Sequence, residues 1–188
     1  MKLPPGLRWV EVDLPGVIDY KQEILREQKP VCELQRLRAD LSDVSARREL
    51  FARLASLGKR ALVVTEGLLI YFSAAEVGAF AIDLADAPSF RPWIVDLVSP
   101  GLLRIGQKKT MSQLSASGPS FKFGPKEGPD FLIPYGWTPL EVRSLPENCG
   151  GLSSAHARFP PDGCVALIEP RPRFATLVRY LLTRENLR

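Results

Sequence analysis

The sequence predicts an α/β protein with a doubly wound sheet, and three observations support this prediction. Short apolar runs alternate with segments of helical spacing in the order β-α-β-α-β-α-β over residues 1–98. Three of these runs end in an acidic residue, which places carboxylates at the ends of parallel strands, where open α/β sheets bind ligands. A chain of 188 residues, 45% of them hydrophobic, is long enough for one domain with a core.

The first two predicted strand and helix pairs fill residues 7–58. Residues 7–12 favour a strand, and the apolar residues that follow fit a helix until Pro30. Residues 31–37 form a less apolar strand candidate. The Ser42–Asp43 pair then offers an N-cap for a second helix, with Gly58 as its C-terminal cap.

The third predicted strand and helix have the clearest sequence signals. Residues 61–65 carry no charge and predict a central strand, which Glu66 follows. Ser73 and Glu76 have the spacing of a capping box, and they predict a helix that ends before Pro88. Its expected buried face consists of Val77, Phe80, Ala81 and Leu84. Residues 93–98 predict a fourth strand.

The second half of the chain has a different composition. Residues 99–137 are rich in Gly, Pro, Ser and Lys, which predicts a long excursion instead of another βα repeat, and we expect it to form a substrate cap. Within residues 138–188, residues 140–145 and 164–168 predict a closing hairpin of two strands. Phe174, Leu177, Val178 and Leu181 then predict an amphipathic C-terminal helix. We expect the three parts to form a single domain.

Charge and cysteine usage exclude several classes of protein. The 25 basic and 21 acidic residues are scattered, so the chain lacks the basic face of a nucleic-acid-binding protein. Three distant cysteines and one histidine predict neither a metal site nor a disulfide framework. No apolar run is long enough to span a bilayer, and no signal peptide is recognisable. We therefore expect a soluble, cytoplasmic protein with no nucleic-acid or membrane partner.

Three motifs carry a resemblance to a known family. They are WVEVDLPGVIDYKQEIL from Trp9, RADLSD from Arg38 and VTEGLLIYFSAAEV from Val64. Together with Gly136 and Trp137, they resemble the leucine carboxyl methyltransferase family over nearly the whole chain. The resemblance implies an S-adenosylmethionine-dependent methyltransferase. It also implies a Rossmann-like class I methyltransferase sheet with helices on both faces and a C-terminal antiparallel hairpin.

The resemblance also implies roles for individual residues. Asp13 would accept hydrogen bonds from the ribose hydroxyls, which suits a carboxylate beside two vicinal hydroxyl groups. Asp40 would accept a hydrogen bond from the exocyclic amine of adenine, and the Leu41 backbone N–H would donate to a ring nitrogen. Glu66 would lie near the methionine part of the cofactor, and Tyr71 is a candidate for contact with the cofactor or substrate.

Each of these residues also has a structural interpretation. An aspartate before a proline is often a turn residue, and Asp40 or Asp43 could cap the following helix. An aromatic side chain such as Tyr71, within an apolar run, more often belongs to the core. The placement of one acid after each of three strands favours the ligand site.

The implied reaction transfers a methyl group from sulfur to an oxygen of a small molecule or a peptide carboxylate. A carboxylate acceptor is already ionised and requires no base. A hydroxyl acceptor would require a general base, and His156 is the only obvious candidate. A lone histidine is more often solvent-facing, so no catalytic residue is assigned.

The family places a glycine-rich turn and an upstream arginine before the first motif, and this chain shows neither. The corresponding first strand would lie between the strands that end at Asp13 and Glu66, so the chain resembles an N-terminally truncated member. We expect weak S-adenosylmethionine binding by this chain alone. Two alternatives stay open: a non-enzymatic Rossmann-like remnant that acts as a binding or oligomerising protein, and a nucleotide-dependent dehydrogenase fragment. The RADLSD and TEGLLIYF segments argue against the dehydrogenase. No oligomeric state is assigned.

Overall fold

The computed structural model describes residues 6–113, 120–144 and 164–170. This part of the chain contains six strands and four α-helices, which alternate from β1 to α4. The strands are β1 (Arg8–Asp13), β2 (Glu33–Arg38), β3 (Ala61–Thr65), β4 (Phe90–Leu97), β5 (Trp137–Ser144) and β6 (Cys164–Pro170). The helices are α1 (Pro15–Ile24), α2 (Val44–Ala55), α3 (Ala74–Asp86) and α4 (Pro100–Gln113), and two 3₁₀ segments span Leu69–Tyr71 and Gly128–Tyr135.

The strands form two sheets within the described residues. β1 and β2 pair in parallel, with Arg8 opposite Glu33 and Asp13 opposite Arg38. The second sheet has the order β3-β4-β6-β5, in which β3 and β4 are parallel and β6 is antiparallel to both of its neighbours. β1 and β3 therefore each have a hydrogen-bonded neighbour on one side only within the described residues.

Helix α3 packs at the centre of the core. Its four predicted inward residues, Val77, Phe80, Ala81 and Leu84, are all buried. The Trp93 indole N–H donates to the Thr65 hydroxyl at 3.0 Å, and the Trp137 indole N–H donates to the Ala81 carbonyl at 2.8 Å. Both tryptophans therefore fill the space between helix and sheet while their polar N–H groups are satisfied.

A close contact in the middle of α3 and a capping box at its start define how this helix sits in the fold. Gly78 lies against the Tyr135 side chain, where a Cβ atom would come within 2.5 Å of the Tyr135 Cε1 atom. The Ser73 hydroxyl accepts the Glu76 N–H, while the Glu76 carboxylate accepts the Ser73 N–H at 2.6 Å. The predicted capping box is thus confirmed, and glycine at position 78 lets the 3₁₀ segment approach the helix.

Most predicted elements are confirmed within a few residues. The strand at residues 61–65 has the predicted bounds, and the two closing strands pair as an antiparallel hairpin. Two expectations are wrong. Helix α2 ends at Ala55, so Gly58 is not its C-terminal cap. The segment after β4 is not irregular throughout, because Pro100–Gln113 forms helix α4 and continues the βα alternation. The predicted C-terminal helix lies outside the described residues.

Candidate functional site

The ends of β1 and β2 bring two of the predicted acids to one edge of the small sheet. Asp13 is the last residue of β1, and Asp40 follows the end of β2 by two residues. The Ala39 N–H donates to the Asp13 carbonyl at 2.9 Å, which extends the parallel pairing by one residue. Asp13 and Asp40 therefore leave their strands side by side, as predicted from the carboxyl ends of parallel strands.

Asp13 does not cap the helix that follows it. The N-cap residue of α1 is Leu14, whose side chain makes no capping bond, and the Leu14 N–H donates to Asp13 Oδ1 at 2.8 Å. Asp13 Oδ2 accepts no hydrogen bond within the described residues. One carboxylate oxygen thus orients the side chain through its own turn, and the other is open to a ligand hydroxyl.

The turn after β2 contains two aspartates, and only one of them caps a helix. Asp43 is the N-cap of α2, and its carboxylate accepts the Ser45 and Ala46 N–H groups at 2.9 and 3.0 Å. Asp40 Oδ1 instead accepts the Ser42 hydroxyl at 2.6 Å and the Ser42 N–H at 2.9 Å. The structural alternative of a helix cap therefore applies to Asp43 and not to Asp40.

The same turn presents a carboxylate oxygen and a backbone donor. The Ser42 hydroxyl, and then the Ser42 backbone N–H, hold the pKa of Asp40 below its ordinary value, so Asp40 is an anion at neutral pH. Neither Asp40 Oδ2 nor the Leu41 N–H has a hydrogen-bond partner among the described residues. A free acceptor beside a free donor matches the amine and adjacent ring nitrogen of adenine.

A third acid follows β3. Glu66 is exposed and comes directly after Thr65, and Gly67 next to it has a φ of +61°. Positive φ is a conformation that glycine adopts without strain. The chain therefore turns sharply at the end of β3, which places Glu66 at the carboxyl edge of the larger sheet.

Asp96 is a residue of this edge that the sequence did not indicate. It lies near the end of β4, and its carboxylate accepts the Gly67 N–H at 3.0 Å to Oδ1 and 3.1 Å to Oδ2. Burial raises the pKa of Asp96, and the charge of Glu66 adds to the rise, whereas the Gly67 N–H opposes it. Glu66 and Asp96 are therefore electrostatically coupled at the ends of two neighbouring parallel strands.

Tyr71 lies at the end of the 3₁₀ segment after β3. Its side chain is 39% exposed, and its ring is 5.5 Å from the Phe121 ring. The Lys122 and Phe123 N–H groups donate to the Ile70 carbonyl at 2.7 and 3.1 Å. The segment after α4 thus lies against the turn that carries Tyr71, and Tyr71 is a surface residue of this contact instead of a core residue.

Other classes of site have little support in the part of the chain that the structure describes. Within those residues, no three His, Cys, Asp or Glu side chains are grouped to bind a metal ion. No helix there is long and apolar enough to cross a membrane. Cys32 is a free thiol. His156 lies outside the described residues, so the expectation that it is a solvent-facing loop residue stays a prediction.

A shallow groove between α1 and β2 is not part of the candidate site. It is lined by residues of the segment that follows α1, among them Leu25 and Lys29, and by Leu34 and Arg36 of β2. Because α1 runs back from the end of β1 toward the start of β2, this groove lies toward the amino ends of the strands. Ligands of open α/β sheets bind at the opposite edge.

The chain matches a family of known methyltransferases in its first half. Residues 1–83 match the model of the family described as leucine carboxyl methyltransferase. A protein from Parafrankia sp. (strain EAN1pec), with the name "Putative S-adenosyl-L-methionine-dependent methyltransferase", is 29% identical over 147 residues, which are 75% of this chain and 47% of that protein. The chain thus spans about half the length of this curated relative. The predicted resemblance to the family is confirmed over residues 1–83, whereas its predicted extent, nearly the whole chain, goes beyond this match.

Solved structures show the same fold at lower sequence identity. One, described as "a putative methyltransferase from Thermobifida fusca", has a TM-score of 0.56 at 15% identity, with 87% of this chain and 63% of that chain covered. Magnesium protoporphyrin IX methyltransferase from Synechocystis, solved with bound SAH, has a TM-score of 0.50 at 14% identity, with 86% and 63% covered. The predicted methyltransferase version of the Rossmann-like fold is therefore confirmed.

Proposed function

We propose, from the match of residues 1–83 to the leucine carboxyl methyltransferase family, that the chain carries the nucleoside-binding part of an S-adenosylmethionine-dependent O-methyltransferase. The observation that carries the proposal is the set of open polar groups at the ends of β1 and β2. They are one carboxylate oxygen of Asp13, one of Asp40 and the Leu41 N–H. The two carboxylates are each held in place by hydrogen bonds that their other oxygen accepts within the turn.

These groups have the chemistry that a nucleoside requires. Asp13 Oδ2 can accept a ribose hydroxyl through a charge-assisted hydrogen bond. Asp40 Oδ2 accepts the exocyclic amine of adenine, and the Leu41 N–H donates to the neighbouring ring nitrogen N1. This donor and acceptor pair discriminates adenine from guanine, whose amide edge presents a carbonyl oxygen and an N–H at the corresponding atoms.

The methionine end of the cofactor belongs near the end of β3. Glu66 is exposed there, and an anion suits the ammonium or sulfonium charge. When bound, S-adenosylmethionine supplies an electrophilic methyl group on its sulfonium. The residues of this chain bind and orient the two reactants, so proximity and orientation account for most of the catalysis.

The methyl acceptor is a carboxylate or a hydroxyl group of a small molecule or a peptide. The exposed Tyr71 ring, with Phe121 against it, offers an apolar wall close to the end of β3. A carboxylate acceptor is ionised at neutral pH and requires no general base. Tyr71 is proposed to contact the acceptor without taking part in proton transfer.

The experiment for the nucleoside site compares three single substitutions. D13N and D40N each keep the size of the side chain and remove the charge, whereas E11Q changes an acid of β1 that already pairs with Arg36 at 2.8 Å. S-adenosylhomocysteine is titrated by nuclear magnetic resonance, which detects weak binding. D13N and D40N should each raise the dissociation constant by about tenfold, the loss of one charge-assisted hydrogen bond. Equal affinity in all four proteins would contradict the proposal.

A second candidate function is favoured by exposed apolar side chains on β3. Leu62 and Val64 are 54% and 48% exposed on the same face of the strand. An exposed apolar face next to an unpaired edge is typical of a surface that binds another chain. This supports a non-enzymatic binding or oligomerising protein. Analytical ultracentrifugation of the wild type and of L62S/V64S separates the two functions, because self-association without nucleoside binding would favour the second.

A further inference from the structure

Arg47 is a buried charged residue that connects α2 to the turn after β2. The residue is 1% exposed. Its Nε and one terminal nitrogen donate to Asp83 Oδ2, with an Nε distance of 2.9 Å, and its other terminal nitrogen donates to the Leu41 carbonyl at 2.9 Å. One planar guanidinium therefore holds a carboxylate of α3 and a backbone carbonyl of the turn at the same time.

Asp83 gives this guanidinium a fixed partner. The Asp83 side chain is 3% exposed, and its second oxygen accepts Arg48 Nε at 2.8 Å. The Phe80 ring, on the same helix, lies 5.6 Å from the Arg47 guanidinium carbon. A buried carboxylate with two arginine partners and a ring beside one of them leaves Arg47 little freedom. The Leu41 carbonyl is thereby fixed relative to α3.

The peptide group between Leu41 and Ser42 is held at both ends. Arg47 donates to its carbonyl oxygen, and its N–H, which belongs to Ser42, donates to Asp40 Oδ1 at 2.9 Å. A planar peptide group with both polar atoms bound cannot rotate. Its orientation determines which Asp40 oxygen is engaged and constrains the preceding peptide group, which carries the Leu41 N–H.

We propose that Arg47 is a positioning residue for nucleoside binding: anchored by Asp83, it orients the Asp40 carboxylate and the Leu41 N–H toward the adenine edge. This inference rests on the proposed function for the identity of the ligand, although the hold on the turn exists in the free protein. Arg47 itself is 1% exposed, so its role is to position the turn and not to contact the nucleoside.

The first test measures the turn in the free protein. Arg47→Lys keeps the charge that Asp83 requires, but a single ammonium does not reproduce the fork that reaches Asp83 and Leu41 together. Arg48→Met is the matched control, since Arg48 also contacts Asp83, its side chain is 64% exposed, and no hydrogen bond joins it to the turn among the described residues. Backbone relaxation by nuclear magnetic resonance should show lower order parameters for the Leu41 and Ser42 amides in R47K alone. An equally rigid turn in R47K, or equal loosening in R48M, would overturn the proposal.

The second test uses two nucleosides that differ at one atom. Adenosine has the ring nitrogen N1 that the Leu41 N–H would bind, and 1-deazaadenosine lacks it. R47K should weaken adenosine binding about tenfold, the loss of one hydrogen bond of ordinary strength, and should change 1-deazaadenosine binding much less. Equal weakening for both nucleosides would show a merely structural role and overturn the inference. If the wild type bound neither nucleoside, the proposed function would fail, and the relaxation data would still decide whether Arg47 holds the turn.

Discussion

The Gly67 N–H donates to both oxygens of the Asp96 carboxylate, at 3.0 and 3.1 Å, and so joins the turn after β3 to the end of β4. The bond connects residues 29 positions apart in the chain. Glu66 precedes this turn, so the position of the predicted methionine-side acid depends on Asp96. The electrostatics of Asp96 lead to a prediction about stability.

D96N should not lose stability at neutral pH. Burial raises the pKa of Asp96 in the folded protein above the unfolded value of about 3.8. Between those two values the folded state binds more protons than the unfolded state, so the contribution of Asp96 to stability falls as pH rises through this window. The asparagine side chain of D96N keeps an oxygen for the Gly67 N–H and carries no charge. The free energy of unfolding of D96N minus that of the wild type, measured by urea denaturation, should therefore increase from about pH 3.5 to about pH 7.

D96A serves as the comparison for this substitution. Alanine removes the acceptor as well as the charge and leaves the Gly67 N–H without its partner. D96A should therefore be less stable than D96N at every pH, by about 1 kcal/mol. A stability difference between D96N and the wild type that shrinks as pH rises would contradict the assigned sign of the shift.

Removal of the Ser42 hydroxyl should raise the pKa of Asp40. This hydroxyl is the largest cause of the lowered pKa, and the Ser42 backbone N–H remains after substitution to alanine. In S42A the carboxyl resonance of Asp40 should titrate at a higher pH than in the wild type, closer to the ordinary value of an aspartate. Ser45→Ala is the control, because the Ser45 N–H bonds Asp43 and the residue does not contact Asp40. An unchanged Asp40 titration in S42A would show that the bond is absent in solution.

G78A should destabilise the protein. An added Cβ would lie 2.5 Å from the Tyr135 ring, so the 3₁₀ segment at Gly128–Tyr135 or helix α3 has to move. Overpacking of this kind costs about 1–3 kcal/mol. G16A is the matched control in α1, where no atom lies within 4 Å of the added carbon, and helix propensity there favours alanine. Thermal melting of both variants checks the prediction, and equal melting temperatures would exclude the close contact.

S73A should cost about 1 kcal/mol of stability through loss of the α3 cap. The substitution removes the acceptor of the Glu76 N–H, while the reverse bond from the Ser73 N–H to Glu76 remains. Urea denaturation measures the loss. S45A again serves as the control, since Ser45 lies in the first turn of α2, where Asp43 is the cap. If S45A were as destabilising as S73A, the capping box would not be the cause.

Local sequence signals were sufficient where the stabilising contacts are local. The uncharged run at residues 61–65 and the Ser73 and Glu76 spacing predicted β3 and the start of α3. Helix α4 was missed because Gly101, Gly106 and a polar second half obscure its pattern. Contacts from a distant segment support this helix. Gly106 packs against the Phe121 ring, and the Gln107 side chain donates to the Phe121 carbonyl at 2.7 Å.

The candidate site likewise contains residues that the sequence predicts and residues that only the folded structure reveals. The positions of Asp13, Asp40 and Glu66 were predictable because Asp13 ends a strand and the other two closely follow one, and such positions are visible in the sequence. Asp96 and Arg47 were not predicted, since Asp96 lies within an apolar run and Arg47 resembles a surface residue of a polar helix. Their partners, Gly67 and Asp83, are 29 and 36 residues away, and only the packing of the elements brings them together.

The most direct test of the nucleoside site is a titration of the isotope-labelled chain with S-adenosylhomocysteine, followed through its backbone amide resonances. The proposed site predicts concentration-dependent shifts at Leu14, Leu41 and Ser42, next to the open oxygens of Asp13 and Asp40, with Glu66 and Gly67 shifting less for adenosine than for S-adenosylhomocysteine. Two results would contradict the proposed site. One is shifts confined to residues away from these strand ends, and the other is the absence of shifts at about millimolar ligand, a concentration at which even weak binding is detected.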